Sequence, residues 1–381
     1  MISKGKDDAS LVLVLNAGSS SLKFAAFEPG EPPAERVRGN IDGVADRRNG
    51  VERVLRQVAA KLGTPQWAGI GHRLVHGGPR FSAPRLIDAE VIAQLRQVVP
   101  FAPEHLPAEI ALIEELAERF PGVPQIACFD TAFHHDLPRV ARLLPIPRRY
   151  EAGGVRRYGF HGLSYEFLLR ELGRLGDSAA ATGRVILAHL GNGASLAAIR
   201  DGACVDTSMA FTPAAGLVMG SRAGDLDPGL LAYLAQAEGM SAADLGKLVN
   251  HQSGLLGISE TSSDLRELLG REAHDVRAAE AIALFCQQVK KWIGAYAAVL
   301  GGLDTLVLSG GIGEHQAPIR ERICAGLGFL GLELDASLNA AHAPLISSAA
   351  SRVAVRVIRT DEELMIARAM NHLLQLHGTH Q

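Results

Sequence analysis

Two arginines lie in glycine-rich segments that hold few other charges, and each could bind an anion. Arg73 lies within GHRLVHGG (71–78) and Arg222 within MGSRAGD (219–225). A guanidinium with small neighbours stays accessible and donates paired hydrogen bonds to a carboxylate or a phosphate. Because side chains alternate along a strand, Arg73 and Val75 would share one face and suit a short carboxylic acid with an aliphatic tail. The alternative for Arg73 is an ordinary salt-bridged strand residue.

Asp130 and two histidines are candidate catalytic groups. Asp130 follows the apolar strand PQIACF (124–129), and the carboxyl ends of such strands collect active groups in α/β proteins. Asp130 could therefore contact magnesium or accept a proton, although it could also cap a short helix in TAFHH. His161 lies between glycines in RRYGFHG, and His189 ends a second apolar strand. Both histidines suit a transferring phosphoryl group, to which they can donate hydrogen bonds.

His72 and His76 share the other face of the Arg73 strand and could be metal ligands. No third ligand lies nearby in the sequence, so a metal centre is the weaker interpretation. Glu362 and Glu363 follow Asp361 at a predicted helix start, where the helix dipole favours acids in any case. Neither pair indicates a site by itself.

Three glycine-rich turns are the strongest sign of phosphate binding. They occupy residues 16–19, 190–193 and 309–314. Such turns present several main-chain N–H groups and hydroxyls at once, although one such turn alone could be an ordinary hairpin. The first two share one plan, since LVLVLNAGSSSLKFAAF (11–27) and RVILAHLGNGASLAAI (184–199) each place a turn between two apolar strands. A duplicated fold is therefore predicted.

The composition excludes several classes of protein. Lys and Arg number 38 and Asp and Glu 41 in 381 residues, a formal charge of −3, so a nucleic-acid-binding protein is not expected. The longest apolar stretch, 292–303, is too short to span a membrane, and the first ten residues hold no apolar signal region. The four cysteines are widely spaced, which favours buried thiols over a disulfide or zinc framework. We expect a cytoplasmic protein with no membrane or nucleic-acid partner.

Short apolar runs alternate with longer amphipathic ones, which predicts an α/β protein with mixed sheets. The predicted strands are 11–15, 22–27, 69–75, 124–129, 185–190, 195–199, 305–309 and 353–358. The predicted helices are 88–99, 107–120, 164–175, 228–237, 273–300, 318–327 and 362–376. Asp361 and Ser164 are placed to cap the helices that begin beside them. No GxxxxGK[ST] occurs and no GxGxxG follows the first strand, so neither a P-loop NTPase nor a standard dinucleotide fold is expected.

Eleven segments of the chain resemble acetate kinases and occur in the order seen in that family. They are NAGSSSLKF, GHRLVHGG, FAPEH, FDTAFH, RRYGFHG, HLGNGAS, DTSMAFTP, GSRAGDLDP, SGLLGISETSSDLR, SGGIGE and TDEELMIAR. The resemblance runs from about Leu11 to Arg368. It implies the superfamily of acetate and sugar kinases, actin and heat-shock ATPases. The implied fold has two similar ribonuclease-H-like lobes of mixed sheet flanked by helices, with an active-site cleft between them.

The resemblance also implies an activity, its cofactors and a division into lobes. The expected reaction is reversible, Mg²⁺-dependent transfer of the ATP γ-phosphoryl group to acetate, which gives acetyl phosphate and ADP by direct in-line transfer. Mn²⁺ could replace Mg²⁺. The family's enzymes are usually homodimers, so a homodimer is expected. The expected N-terminal lobe comprises residues 10–131 and 364–381, and the expected nucleotide-binding lobe comprises residues 132–363.

The resemblance further implies roles for individual positions. The residues that match catalytic groups are Arg73, Asp130, His161 and Arg222, of which His161 and Arg222 match stabilisers of the transition state. Arg73 also matches a substrate-binding residue, together with the acyl-pocket walls Val75, Phe160 and Pro213. The residues that match nucleotide contacts are Ser19, Ser21, Lys23, His189, Gly191, Asn192, Gly193, Asp264, Leu265, Arg266, Gly311, Ile312 and Gly313. Asn16 and Glu362 match the metal side.

Four departures from the family's usual pattern leave the substrate preference open. Glu104 stands where a leucine of the acyl pocket is usual, and a carboxylate there would repel the substrate or turn away. Tyr165 stands where the GTSH segment usually has its histidine, and His315 replaces an asparagine near the nucleotide. The chain is also slightly shorter than most relatives. The alternatives are a propionate or other short-chain acyl kinase and, more remotely, a non-catalytic nucleotide-binding protein of the same fold.

Overall fold

The computed structural model describes residues 10–18, 21–42 and 47–378, and the chain divides into two compact units. Unit 1 is formed by residues 1–135 and 361–381, and unit 2 by residues 136–360. The C-terminal helix therefore belongs to the same unit as the N-terminal strands.

Eleven strands and sixteen α-helices make up the described part of the chain. The strands are β1 Leu11–Ala17, β2 Ser21–Glu28, β3 Ala34–Asp42, β4 Trp67–Leu74, β5 Arg85–Leu86, β6 Gln125–Phe129, β7 Arg184–Leu190, β8 Ala194–Arg200, β9 Ala203–Thr207, β10 Thr305–Ser309 and β11 Ala354–Val357. The helices are α1 Arg47–Leu62, α2 Ala89–Val98, α3 Leu106–Arg119, α4 Arg139–Arg142, α5 Arg149–Ala152, α6 Gly162–Arg174, α7 Ala179–Thr182, α8 Pro228–Glu238, α9 Ala242–His251, α10 Gly254–Ser259, α11 Leu265–Arg271, α12 Val276–Leu300, α13 Gly310–His315, α14 Ala317–Cys324, α15 Ala336–Ala340 and α16 Glu362–Gly378.

The two units contain sheets with the same strand order. The sheet of unit 1 runs β3-β2-β1-β4-β6, with β5 added at one edge, and the sheet of unit 2 runs β9-β8-β7-β10-β11. In each sheet the first three strands pair antiparallel, and the next two run parallel to the third. The hairpins β1–β2 and β7–β8 occupy corresponding places. The duplication predicted from the two glycine turns and the predicted mixed α/β class are both confirmed.

All the predicted strands and helices are present, with ends shifted by up to three residues. The strands that the sequence analysis does not predict, β3, β5 and β9, all lie at sheet edges. An edge strand exposes part of its surface and needs no continuous apolar run; β3, for example, has the sequence AERVRGNID with only two buried residues. The apolar patterns therefore find all the central strands, and of the four edge strands they find only β11.

Two expected boundaries are wrong. Helix α6 begins at Gly162 and not at Ser164, and His161 is its N-cap residue in the left-handed conformation, with φ of 58°. Ser164 is buried within the first turn, where its hydroxyl contacts His189 and caps nothing. The turn expected at 309–314 is mostly helix α13, which starts directly after β10 because Gly310 adopts a φ of 76°. The expected cap at Asp361 is confirmed, since its Oδ1 accepts from the Leu364 main-chain N–H at 2.9 Å.

Apolar side chains fill the core of each unit. Strands β1 and β10 are buried along their full length. All four cysteines lie in the described part of the chain, and they are buried and form no disulfide, as expected. Over the same part of the chain, no helix is long and apolar enough to cross a membrane.

Helix α16 packs against β4 at two glycines. A Cβ on Gly71 would lie 2.3 Å from Ile366 Cγ2, and a Cβ on Gly69 would lie 2.7 Å from the Met370 sulfur. Atoms that are not bonded to each other do not approach so closely, so glycine at both positions lets α16 approach β4. The first turn of α16 carries Glu362, and this close packing therefore holds a candidate site residue in place.

Gly71→Ala should lower the free energy of unfolding by about 1–3 kcal/mol, because the added methyl overlaps Ile366 in a buried interface. Urea unfolding measures the loss. Gly294→Ala is the control: it lies inside α12 with nothing within 4 Å of the added carbon, and we expect a gain of up to about 1 kcal/mol. Adding Ile366→Ala should remove the overlap, so that Gly71→Ala costs less in that background. Wild-type stability for Gly71→Ala would contradict the close packing.

Candidate functional site

Five polar residues of unit 1 form a hydrogen-bonded group that we name the arginine–carboxylate cluster: Asn16, Arg73, Asp130, Glu362 and Glu363. Asn16 lies near the end of β1, Arg73 near the end of β4 and Asp130 directly after β6. These strands are adjacent and parallel, so their carboxyl ends meet at one edge of the sheet. Helix α16 adds the two glutamates from its first turn.

Arg73 is the centre of the arginine–carboxylate cluster. Its Nε donates to Asp130 Oδ1 at 2.9 Å and its Nη2 to Asp130 Oδ2 at 2.5 Å, while its Nη1 donates to Asn16 Oδ1 at 3.1 Å. Burial opposes the charge of Arg73, but Asp130 and Glu362 outweigh burial and raise the pKa of the guanidinium above its ordinary value. Within the described residues these bonds use three of its five N–H groups, and one N–H on each terminal nitrogen remains for a ligand.

The Asn16 amide links Arg73 to the two glutamates. Its Nδ2 donates to Glu362 Oε2 and to Glu363 Oε1, both at 2.9 Å, so both amide N–H groups are used. The Asn16 oxygen is then the atom that faces Arg73. The orientation of this amide is therefore set by three charged neighbours.

Arg38 holds the start of α16 and is a functional candidate that the sequence analysis missed. It donates to Glu363 Oε2 at 2.6 Å and to the two oxygens of Asp361 at 2.8 and 2.7 Å. Burial disfavours its charge, but the hydrogen bond to Asp361 and the neighbouring carboxylates outweigh burial and raise the pKa of Arg38. No sequence signal identifies it, because its edge strand is not predicted and Asp361 lies 323 positions away.

In the described residues, five carboxylates pair with the guanidinium groups of Arg38 and Arg73, namely Glu35, Asp130, Asp361, Glu362 and Glu363. In the described ranges no group of three or more His, Cys, Asp or Glu side chains is arranged to hold a metal. Mg²⁺ prefers oxygen donors and usually takes one or two carboxylates together with phosphate and water. The donor set fits Mg²⁺ that arrives with a phosphate ligand, and it does not fit a metal held by protein alone.

In unit 2 two stacked imidazoles, His161 and His189, form what we name the histidine pair. Their ring centroids are 4.3 Å apart and their planes are inclined by 26°. His189 is supplied by the end of β7, and His161 precedes α6 in the left-handed conformation. That backbone conformation is uncommon for a residue with a side chain and frequent at functional sites.

A serine hydroxyl contacts Nδ1 of each ring in the histidine pair. His161 Nδ1 lies 2.9 Å from Ser195 Oγ, and His189 Nδ1 lies 2.9 Å from Ser164 Oγ. Both serines are fully buried. Ser164 was predicted only as a helix cap and Ser195 was not predicted, and the one sequence signal in this region is the departure in the GTSH segment.

The glycine turn at 191–193 lies against the histidine pair and Arg222. A Cβ on Gly193 would lie 3.2 Å from His161 Nε2 and 3.5 Å from Arg222 Nη1. Asn192 joins this turn to the Arg222 segment, because its main-chain oxygen accepts from the Gly220 N–H at 3.0 Å and its side chain lies directly over Gly220. The structure thus brings together, within unit 2, residues that are separate in sequence.

Arg222 also lies beside Pro213. Its Nη1 donates to the Pro213 main-chain oxygen at 3.3 Å and lies 3.8 Å from the Met219 sulfur. Two expected residues, one for the phosphoryl group and one for the acyl pocket, are therefore neighbours. The other expected pocket walls are buried, Phe160 in unit 2 and Val75 in unit 1.

Strand β4 ends at Leu74, one residue before Val75, so the strand alternation that linked Val75 to Arg73 does not reach it. The Val75 main-chain N–H instead donates to the buried carboxylate of Glu109 at 3.2 Å. Glu104 is exposed. Its carboxylate is therefore not a buried charge that would repel a carboxylic acid substrate.

The expected adenosine-side residues lie at two helix starts. Asp264 caps α11 by accepting from the Arg266 main-chain N–H at 2.8 Å, and its ion pair with the Arg266 side chain lowers the pKa of Asp264. Leu265 is buried beside it. The glycine turn with Gly311, Ile312 and Gly313 is part of α13. Glu314 Oε1 accepts from the Gly310 N–H at 3.0 Å and so ties this helix to its own start.

The remaining expected residues lie in the first glycine turn and its strand. Ser19 lies outside the described residues. Ser21 begins β2, and Lys23 is exposed on the same strand. His315, which replaces an asparagine in the family pattern, has a side chain that is 72% exposed, so it is accessible to a ligand.

His72 is a buried structural residue. Its Nε2 lies 2.6 Å from Gln125 Oε1 on β6, and burial lowers its pKa to about 4 in spite of that hydrogen bond. His76 Nδ1 accepts from the Gly78 N–H at 2.8 Å. The metal interpretation of these two histidines receives no support in the described part of the chain.

This arrangement of site residues on two α/β units of one strand order is typical of a phosphotransferase. The profile of the Acetokinase family matches residues 33–368. The chain belongs to the acetokinase family.

Relatives and solved structures agree with this family. The acetate kinase of Rhodopseudomonas palustris (strain ATCC BAA-98 / CGA009) is 43% identical over 94% of this chain and 97% of its own length, and that of Methylocella silvestris is 44% identical over 94% and 96%. The crystal structure of Porphyromonas gingivalis acetate kinase matches with a TM-score of 0.87 and 38% identity, covering 96% of this chain and all of that one. A propionate kinase from Francisella tularensis also matches with a TM-score of 0.87, at 36% identity over 94% of this chain and 98% of its own.

The buried His72 should make stability depend on pH. Its pKa is about 4 in the folded protein and near 6.5 when unfolded, so the unfolded chain binds a proton first. The stability that depends on neutral His72 is therefore fully present above pH 6.5 and is lost as the pH falls toward 4. The free energy of unfolding changes on the order of 3 kcal/mol over this range. Urea unfolding between these pH values should show a shallower loss for His72→Gln than for wild type.

His315→Gln is the matched control, because its imidazole is exposed, and its pH profile should follow that of wild type. Identical profiles for wild type and His72→Gln would mean that the ring is not held neutral in the folded protein.

Proposed function

We propose that the protein transfers the γ-phosphoryl group of ATP to acetate, in a reversible reaction that gives acetyl phosphate and ADP. The arginine–carboxylate cluster is the observation that carries the proposal, because it combines a cation with spare N–H donors and oxygen ligands for a metal. Membership of the acetokinase family supports it.

Arg73 is the proposed acetate-binding residue of unit 1. One N–H on each of its terminal nitrogens remains for a ligand, and two such groups can bind the two oxygens of a carboxylate. Asp130 accepts from Nε and Nη2 of Arg73, and this pair of hydrogen bonds fixes the orientation of the guanidinium. Val75 is the proposed apolar wall for the methyl group in this unit, and its backbone is fixed by Glu109.

The reaction needs no strong general base. A short carboxylic acid has a pKa near 4 and is ionised at neutral pH, so its oxygen can attack phosphorus directly. Asp130 is engaged by Arg73 through both of its oxygens, which supports an orienting role rather than proton transfer. Catalysis then depends on positioning and on neutralising the charge of the phosphoryl oxygens.

Unit 2 supplies the proposed phosphate-binding groups. Arg222 Nη1 and His161 Nε2 lie 3.5 and 3.2 Å from the Cβ position of Gly193 in the 191–193 turn. His189 and Asn192 adjoin the same turn. We propose the transferring phosphoryl group as the ligand of Arg222 and His161, and residues 264–266 and 311–313 as the adenosine side. Ser19, Ser21 and Lys23 are proposed phosphate contacts of the first turn.

Mg²⁺ is the proposed cofactor, with Mn²⁺ as a substitute, and Glu362 and Asn16 are its proposed residues. When bound with ATP, the ion would neutralise charge on the phosphate oxygens. Arg38 and Glu363 support this role, since they hold the Asn16 amide and the first turn of α16 in place.

A propionate kinase is the second candidate function. The observation that favours it is the solved propionate kinase that matches this chain as well as the acetate kinase does by TM-score. One methylene in an apolar pocket changes binding by only about 1–3 kcal/mol, so fold alone does not separate these acids.

Homodimer formation and a cytoplasmic location stay predictions. Helix α8 supports self-association, because none of its residues is buried and Leu230 and Tyr233 are exposed on its surface. The proposed use of ATP as a substrate supports a cytoplasmic location.

Arg73→Ala and Arg222→Ala should each lower phosphoryl transfer by about 10²-fold or more, because each removes a cation that offsets charge in the transition state. Acetyl phosphate is trapped as its hydroxamate and measured with and without acetate. Circular dichroism checks that each variant is folded. Arg170→Ala is the control: this exposed arginine pairs with Glu166 on α6, and its loss should leave turnover unchanged. Wild-type turnover in a folded Arg73→Ala protein would contradict the proposed site.

A panel of acetate, propionate and butyrate with ATP or GTP tests the substrate. We expect the highest kcat/KM for acetate, the acid of the proposed function, and a loss of about 10–200-fold for each added methylene, which is the range that one methylene in an apolar pocket produces. A higher value for propionate would favour the second candidate. No acyl phosphate with any acid would leave only a non-catalytic nucleotide-binding role.

A further inference from the structure

Tyr165 is a fully buried tyrosine whose hydroxyl meets a serine beside the histidine pair. Its oxygen lies 2.5 Å from Ser195 Oγ, and Ser195 Oγ lies 2.9 Å from His161 Nδ1. The three side chains form a continuous line of hydrogen bonds. Each member of the line has a limited number of protons, so the direction of one bond constrains the next.

The tyrosine at one end of the line is a hydrogen-bond donor. Burial raises the pKa of Tyr165 well above its ordinary value, so the phenol keeps its proton. A phenol that donates to Ser195 Oγ leaves the serine proton available for His161 Nδ1.

The second ring of the histidine pair has the same arrangement. Thr360 Oγ1 donates to Ser164 Oγ at 2.8 Å, and Ser164 Oγ lies 2.9 Å from His189 Nδ1. The serine that accepts from the threonine has its own proton available for the ring nitrogen. Two independent lines of hydroxyls thus end at the Nδ1 atoms of two stacked rings.

The opposite nitrogen of His161 faces the glycine turn. Nε2 is the His161 atom nearest to the Cβ position of Gly193, at 3.2 Å, and Arg222 Nη1 adjoins the same point at 3.5 Å. A neutral imidazole that accepts at Nδ1 carries its proton at Nε2. A donor at Nε2 can stabilise an oxyanion there, whereas the other tautomer would present a lone pair.

We propose that Tyr165 and Ser195 are positioning residues that hold His161, when its ring is neutral, in the tautomer protonated at Nε2, aimed at the anion-binding turn. The importance of this tautomer for turnover rests on the proposed function, but the tautomer itself does not. Tyr165 acts through Ser195 and need not touch the substrate.

The tautomer is measured directly by NMR on the whole protein labelled with ¹⁵N-histidine, at a pH where His161 is neutral. Long-range ¹H–¹⁵N correlations show which ring nitrogen carries the proton, and His161→Gln identifies the signals of this ring. We expect the Nε2–H form in wild type and a mixture of both forms in Tyr165→Phe and Ser195→Ala. An Nδ1–H form in wild type, or an unchanged Nε2–H population in Tyr165→Phe, would overturn the proposal.

Tyr158→Phe is the matched control, because it also removes a tyrosine hydroxyl bond in unit 2, from Tyr158 to the Gly154 main-chain oxygen at 2.7 Å. It should leave the tautomer of His161 unchanged. A shift of the His161 tautomer in this variant would show that any loss of a tyrosine hydroxyl disturbs the ring, and would overturn the specific role of Tyr165.

Kinetics provide the second readout. Tyr165→Phe should lower kcat by about tenfold, the equivalent of one hydrogen bond, with KM for acetate and ATP within about twofold of wild type. Equal changes in kcat and both KM values would indicate a general structural loss and contradict positioning. If no acid is phosphorylated by wild type, the proposed function fails, while the NMR result still decides the tautomer.

Discussion

The buried ion pair between Arg73 and Asp130 is the interaction on which the arrangement of unit 1 depends. Its two residues stand at the ends of neighbouring parallel strands, and both oxygens of Asp130 are engaged. A buried charge without a partner costs several kcal/mol, so the two strands must end in register. Asn16 accepts from the same guanidinium and donates to Glu362 in the first turn of α16. Both the cation and this carboxylate therefore have a partner.

In unit 2 neutral hydroxyl groups contact the histidine pair. In this unit the rings of the histidine pair stack on each other, and hydroxyls contact their Nδ1 atoms. Two imidazolium rings at 4.3 Å would repel, so the stacking favours at least one neutral ring. Carboxylates surround Arg73 in the arginine–carboxylate cluster, whereas the glycine turn at 191–193 lies beside His161 and Arg222.

The predictable part of the fold is its centre. Continuous apolar runs identify β1, β7 and β10, since a strand covered on both faces has no polar alternation. The edge strands β3, β5 and β9 are missed because water satisfies one side of them. Arg38 is missed with β3, and its role exists only where the chain returns at Asp361. Ser195 lies in a segment whose apolar pattern correctly predicts a buried strand, but the pattern does not predict its contact with His161.

The family was identified from the resemblance of its motifs, while local spacing and residue type were enough to predict the duplicated α/β plan and the residues that could carry charge. Folding alone decides which N–H groups of Arg73 are already used, which atom of the Asn16 amide faces it, and which nitrogen of His161 a serine reaches. Those features depend on hydrogen bonds between residues tens to hundreds of positions apart, and donor geometry has no trace in local sequence.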